Sequence, residues 1–174
     1  MSYCATCDGA FFRNKTTAVV GGGDVAVEDA IYLARMCEKV YLIHRRDEFR
    51  AAKSLVNKAK NTENIELVLD STVERISGEA KVSSIEVKNK ITGNTDEFAV
   101  DGVFFAVGMQ PVTAFVEKSV QMNEAGYIVA GEDCATNVPG VYAAGDIRTK
   151  QLRQIITAAA DGANAVASVE KYIL

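Results

Sequence analysis

The sequence predicts an α/β protein: a parallel βαβ sheet interrupted by an antiparallel three-stranded meander, followed by a smaller C-terminal segment. Three observations predict it. A short strand pattern, Thr16-Thr17-Ala18-Val19-Val20, runs into Gly21-Gly22-Gly23 and then into a helical pattern. A second apolar strand, Val40-Tyr41-Leu42-Ile43, closes a β-α-β unit of about 30 residues, the size that a right-handed parallel crossover needs. Past residue 70 the apolar period changes from helical to alternating.

Each element has its own signal. Asp24 stands where an N-cap belongs, and Val27, Ala30, Ile31 and Ala34 then recur on one helix face. A second helix is expected from Asp47 to about Lys60, with Phe49, Ala52, Val56 and Ala59 inward. Ile65 to Leu69 reads as a third strand. Val73–Ile76, Val82–Val87 and Asp96–Val100 read as antiparallel strands, with Thr92-Gly93-Asn94 as a hairpin turn. The unbroken apolar run Val103 to Val107 suits a central strand covered on both faces. Gly108-Met109-Gln110-Pro111 ends the pattern and sets an expected boundary between a 1–109 domain and a 110–174 segment. In that segment Tyr127-Ile128-Val129 and Val141 to Ala144 read as short strands, with Val138-Pro139-Gly140 turning into the second, and Gln151 to Tyr172 as an alanine-rich helix.

Composition narrows the function. The 174 residues are 48% apolar and 24% charged, with 13 Gly and 2 Pro, which excludes collagen-like, low-complexity and disordered chains. A net charge of −4 weighs against general nucleic-acid binding. No 18 apolar residues run together, so no membrane span is expected. Met1-Ser2-Tyr3-Cys4 does not open a signal peptide, and a cytoplasmic location is the default. Cysteines there are read first as redox, metal-binding or buried residues. His44 is the one histidine, which excludes a multi-histidine metal site.

Two motifs carry chemistry. Gly21-Gly22-Gly23-Asp24-Val25-Ala26 fits G-x-G-x-x-A: Gly21 for the tight turn, Gly23 for close backbone approach to a pyrophosphate, and small Ala26 for helix–sheet packing. The helix that follows offers free N–H groups to phosphates. The alternative is a glycine-rich turn with no ligand. The motif lies between a strand and a helix, which favours a dinucleotide. An NAD site would place an acidic residue about 20 positions on, at the end of the second strand. Here that position is His44, followed by Arg45, Arg46 and Arg50, groups suited to a 2′-phosphate. A solvated basic helix start is the alternative, but such charge at a helix N-terminus is unfavourable without an anion. NADPH is therefore expected over NADH.

The second motif is Cys4-Ala5-Thr6-Cys7-Asp8. Two thiols so spaced at a helix start can form a readily reduced disulfide. Half of a zinc site and a pair of inert thiols are the alternatives. Zinc needs two further ligands, and Cys37 and Cys134 are far apart in sequence. Cys37 reads as a buried structural thiol, and Cys134 as a loop residue with no evident role. Asp8 is either a helix-capping carboxylate or a general acid and base for the dithiol, the latter needing partial burial.

Taken together, Cys4-Ala-Thr-Cys-Asp-Gly9, Gly21-Gly-Gly-Asp-Val-Ala26 and His44-Arg-Arg-Asp-Glu-Phe-Arg50 resemble bacterial low-molecular-weight thioredoxin reductases. Gly140-Val-Tyr-Ala-Ala-Gly-Asp146 and Arg153-Gln-Ile-Ile-Thr-Ala-Ala-Ala160 resemble that family's C-terminal flavin-contacting segment. The resemblance implies a Rossmann-like NADPH-binding domain plus the C-terminal part of a split FAD-binding domain. It implies NADPH at Gly21, Gly23, Asp24 and Ala26, with Gly108 nearby and the 2′-phosphate near His44, Arg45, Arg46 and Arg50. Electrons would pass from NADPH through FAD to a Cys4–Cys7 disulfide and on to thioredoxin, in a homodimer without a metal. Cys7 would face the flavin, Cys4 would attack thioredoxin, and Asp8 would handle the proton. Gly145 and Asp146 would meet the flavin's ribityl chain, and Arg153, Gln154 and Ile155 its ring system. A turn with an N-cap and an ordinary core helix are the plainer readings of these last residues.

The family opens with a further glycine-rich unit for FAD, which does not occur in this sequence. The expectation is a fragment that binds NADPH, holds FAD weakly or not at all, and has little activity by itself. Its C-terminal piece is expected to pack back, self-associate or be mobile. A reductase for a peroxiredoxin-type partner carries similar motifs, and a non-catalytic NADPH-binding module is the reading outside enzymes. A thioredoxin-like ferredoxin reductase is disfavoured because it lacks the CxxC.

Overall fold

The computed structural model describes residues 1–174, which form two compact units, Met1–Gly108 and Met109–Leu174. In the first unit, α1 (Ala5–Asp8) and a 3₁₀ turn (Gly9–Phe12) lead into β1 (Thr16–Gly21), α2 (Asp24–Ala34), β2 (Lys39–Ile43), α3 (Lys53–Lys60) and β3 (Ile65–Val68). The meander follows as β4 (Ser71–Ser77), β5 (Ser84–Asn89) and β6 (Thr95–Ala99), and β7 (Gly102–Ala106) ends the unit.

Strands β3-β2-β1-β7 make a parallel sheet in that order, and β4-β5-β6 an antiparallel one. The period-2 alternation of strands explains how both faces of the parallel sheet are filled. Val19, Leu42 and Phe104 lie in register and point into the core formed with α2 and α3. Their neighbours Ala18, Ile43 and Val103 point the other way and pack with Ile85 and Val87 of the meander. On α2, Val27, Ala30 and Ile31 are buried as the 3.6-residue period requires, and Ala34 packs beside them. The helix ends where Asn64 Nδ2 donates to the Ala34 carbonyl (2.9 Å) and the Cys37 carbonyl (3.0 Å), satisfying carbonyls a helix end leaves open. The hairpin turns at Gly93 (φ 77°), whose amide donates to Asn89 O at 2.9 Å.

Four expectations need correction. Gly23, not Asp24, is the residue preceding α2, and Asp24 is the first helical residue. Its carboxylate is used elsewhere, accepting from the Ala52 amide at 2.8 Å. The second helix starts at Lys53 rather than Asp47, because the Arg50 amide donates to Gly22 O (2.8 Å) and the Ala52 amide to Asp24. Ala51 is buried there and Ala52 exposed. The run at 103–107 is an edge strand, not a central one: β7 pairs with β1 alone among the strands. Its outer edge is taken by Ser2, whose amide donates to Val103 O and whose carbonyl accepts from the Phe105 amide, both at 2.9 Å. An apolar run reports covered faces and not covered edges.

The fourth correction concerns the second unit. Residues 127–129 and 141–144 form only isolated bridges, Met122 with Ile128, Ile128 with Arg148 and Ala135 with Tyr142. Loops fill most of the unit, with a 3₁₀ turn at Gly145–Ile147 and α4 at Ile155–Ile173. Val120, Ile128, Ala130 and Ala143 form a small apolar cluster. No helix is long and apolar enough to cross a membrane.

Candidate functional site

In an open parallel sheet, ligands bind beyond the carboxyl ends of the strands, where the strand order reverses. Here the chain runs from β1 to β2 on one side and returns to β7 on the other. Gly21 pairs with Ala106 at that point, so the turn at 21–23 and Gly108 leave adjacent strand ends together. A β-carbon at Gly21 would run into the Ala106 carbonyl and lie 2.7 Å from Ala26 Cβ. That closeness is why positions 21 and 26 must both be small. Above Gly23 the space is open, with nothing within 4 Å of a β-carbon built there. The free amides opening α2 face that same turn. A tight turn below and open backbone above suit a pyrophosphate.

The arginines come from the segment after β2. Arg45, Arg46 and Arg50 are exposed and form a loop beside the glycine turn, rather than a helix start. The helix-dipole argument for an anion there therefore lapses, and the grouping of three exposed guanidinium-bearing residues remains. His44 differs: it is buried, and burial followed by the nearby Arg46, Arg45 and Arg50 holds its imidazole below the usual value, against the opposing bond to the Glu48 carbonyl.

The dithiol stands on the same unit. The Ser2–β7 pairing sets the chain direction, and Cys4 caps α1 two residues later. Cys4 and Cys7 are joined by a disulfide. With their sulfurs bonded to each other, the zinc alternative loses its ligands. The Cys7 amide donates to Cys4 Sγ at 3.1 Å, and the Thr6 hydroxyl lies 3.3 Å from the same sulfur. These groups would stabilise negative charge on Cys4 once the bond opens. Cys7 is the more exposed of the two residues. Asp8 is half-buried and makes no side-chain cap bond, so the capping alternative is not what it does. Buried Cys37 has its thiol pushed up by burial, as suits a structural thiol.

The second unit gathers its expected residues around one turn. Gly145 (φ 84°) is buried and Asp146 exposed. Arg153 lies 4.0 Å over the Tyr127 ring and its Nε donates to Asp146 O at 3.3 Å. Gln154 caps α4, its amide donating to Thr157 Oγ1 at 3.1 Å, and Ile155 is 92% exposed. An outward isoleucine at a helix start contradicts the reading of 151–172 as an ordinary core helix, of which Asp161 alone is buried.

Asp161 is the residue that sequence reasoning missed. It accepts from Arg148 Nη2 (2.6 Å) and Nε (2.8 Å), Lys150 Nζ (2.7 Å) and the Gly145 amide (2.8 Å). The Arg148 bonds, with Lys150 and Gly145 behind them, hold its carboxyl far below the ordinary range despite burial. The available signal was a lone aspartate within an alanine run, 13 and 11 residues after Arg148 and Lys150. Cys134 also proves fully buried, its thiol 3.3 Å from the Asp161 carbonyl.

Residues 1–162 match the family model described as pyridine nucleotide-disulphide oxidoreductase. The chain belongs to that family. It is 45% identical to the thioredoxin reductase of Peptoclostridium acidaminophilum, over 99% of this chain and 57% of that protein. Against that of Bacillus subtilis the identity is 45%, covering 99% of this chain and 55% of the relative. The crystal structure of thioredoxin reductase from Streptococcus pyogenes superposes with a TM-score of 0.93 at 45% identity, over 98% of this chain and 56% of that one. The chain spans about half the length of the curated relatives it matches.

Proposed function

We propose that this chain carries the NADPH-binding and dithiol portion of a thioredoxin reductase. The observation that carries the reading is the open turn at Gly23, flanked by three exposed arginines, on the unit that also bears the Cys4–Cys7 disulfide. The relatives' names supply the partner, thioredoxin.

Gly21, Gly23, Ala26 and the opening amides of α2 would receive the pyrophosphate, with Asp24 holding the arginine segment through Ala52 and Gly108 bordering the strand ends. Arg45, Arg46 and Arg50 would meet the 2′-phosphate. Bound NADPH and FAD supply hydride and electron-pair transfer. The disulfide takes up two electrons and two protons and becomes two thiols. Asp8 would exchange a proton with them. The Cys4 thiolate, supported by the Cys7 amide and Thr6, would attack the partner disulfide. That attack releases one partner thiolate and leaves Cys4 bonded to the other partner sulfur. Cys7 would then attack Cys4 Sγ, re-forming the Cys4–Cys7 disulfide and expelling the second partner thiolate, so that two electrons have moved to the partner. Gly145, Asp146, Arg153, Gln154 and Ile155 would contribute to a flavin site. The 174-residue polypeptide has one glycine-rich phosphate turn and is expected to hold FAD weakly or not at all.

Titration of the polypeptide with NADPH and NADH tests the nucleotide part. The expected result is preference for NADPH, reduced in Arg45→Ala and Arg46→Ala. Equal affinity for both nucleotides would overturn it.

A further inference from the structure

His44 differs from the three arginines that accompany it. Its side chain is enclosed, with 5% of the residue exposed. Nε2 donates a hydrogen bond to the Glu48 carbonyl at 3.1 Å. The ring stacks on Phe49, with centroids 5.2 Å apart and planes 18° from parallel. It also covers Gly22, where any β-carbon would collide with the imidazole. An imidazole packed in this way has little surface left for a phosphate.

What it touches belongs to two different loops. Gly22 is the middle of the glycine turn, and Glu48 and Phe49 belong to the arginine segment. Two further bonds join the same pair: the Arg50 amide to Gly22 O and the Ala52 amide to Asp24 Oδ1, each 2.8 Å. Residues 44–52 form no helix or strand of their own, so these links define where the arginines stand.

We infer that His44 is a positioning residue that fastens the Arg45–Arg50 segment to the glycine turn, and so sets selectivity for the 2′-phosphate without touching the nucleotide. This rests on the nucleotide reading above. A guanidinium discriminates well only when held at a set distance and angle from its phosphate. The glycine turn holds the pyrophosphate, so a rigid link from that turn to the arginines fixes their distance to the 2′ position. Loss of the link leaves the arginines to be ordered by the ligand, which weakens NADPH more than NADH.

Affinities of the whole chain for NADPH, NADH and adenosine 2′,5′-bisphosphate, measured by calorimetry, test this. In His44→Ala the preference for NADPH should fall about tenfold, while NADH affinity moves by no more than about threefold. His44→Gln keeps an N–H for the Glu48 carbonyl and should restore most of the preference. Gly22→Ala should weaken NADPH binding in the native background and cost less beside His44→Ala, where the colliding ring is gone. Adenosine 2′,5′-bisphosphate should follow NADPH throughout. A NADPH/NADH ratio unchanged in His44→Ala overturns the inference and leaves the nucleotide reading intact. Equal wild-type affinities overturn that reading itself. Should His44→Ala fail to fold, His44→Gln and Gly22→Ala decide: a ratio kept in the first and lowered in the second supports the link, and any other pattern overturns it.

Discussion

The two units of this chain are held together by different physics. The first buries both faces of a parallel sheet, with Val19, Leu42 and Phe104 on one side and Ala18, Ile43 and Val103 on the other. Its exposed ion pairs are peripheral. The second has no ladder and a four-residue apolar cluster, Val120, Ile128, Ala130 and Ala143. At its centre is a buried carboxylate with two cations and a backbone amide around it. The first unit resists loss of single polar groups and suffers from loss of methyl groups, and the second behaves the other way round. Each unit contains one buried free thiol, Cys37 in the first and Cys134 in the second. Thiol labelling therefore reads the two separately.

The largest expected effect tests the second unit. Asp161→Ala leaves Arg148 and Lys150 buried without a counter-charge, a change of about 3–5 kcal/mol. Cys134 should then label rapidly under native conditions while Cys37 stays protected. Slow labelling of Cys134 would mean that the apolar cluster suffices. The same carboxylate sets an acid limit. Its folded pKa is depressed, so its contribution is complete above the unfolded value of about 3.9 and is lost as pH falls through the folded one. Cys134 labelling by a pyridyl disulfide, taken relative to the unfolded chain at the same pH, should rise below about pH 4.

Next comes the first unit. Leu42→Ala should cost about 2–5 kcal/mol, read as faster Cys37 labelling in mild denaturant. A change under about 1 kcal/mol would show that the sheet closes over the cavity.

A smaller effect separates two titrating groups within that unit. Asp29 is raised to about 6 by partial burial and then by Glu28. A raised carboxyl stabilises the folded state as pH falls from neutrality through about 6, and the benefit is complete below the unfolded value. His44 is depressed, so its contribution is complete above the unfolded value of about 6.5 and declines below it. Asp29→Asn should raise stability at pH 7 by about 1 kcal/mol or less, given its exposure to solvent, read as a higher melting temperature. It should leave the His44 decline visible between neutrality and pH 5. A pH-independent melting temperature in that variant would contradict the assignment.

The smallest effect is at Lys39 and Glu66, 2.6 Å apart with both side chains substantially exposed. Glu66→Gln should change stability by less than about 1 kcal/mol and lose that difference in high salt.

What could be read in advance tracks the same division. The βαβ unit, the glycine turn, the hairpin and α4 follow from neighbouring residues: apolar spacing, turn glycines and capping positions. The start of α3 did not, because the amides of Arg50 and Ala52 are taken by Gly22 and Asp24, which lie 28 positions earlier in sequence. Tyr127-Ile128-Val129 has strand-forming residues, yet no neighbouring strand is present to complete a ladder. Of the site, the motifs could be picked out from residue type and spacing. The different standing of His44 and its arginines could not, since all four occur in one short polar stretch.

The sequence by itself determined the order of strands and helices from β1 to β7, the disulfide-forming pair and the glycine turn, because each depends on residues within a few positions of one another. Only the tertiary structure decided that His44 faces Gly22, that Asp161 gathers Arg148, Lys150 and the Gly145 amide, and that β7 lies at an edge closed by Ser2. Those are pairings between distant positions. Apolar periodicity records which side of an element is covered, and it carries no record of which group covers it.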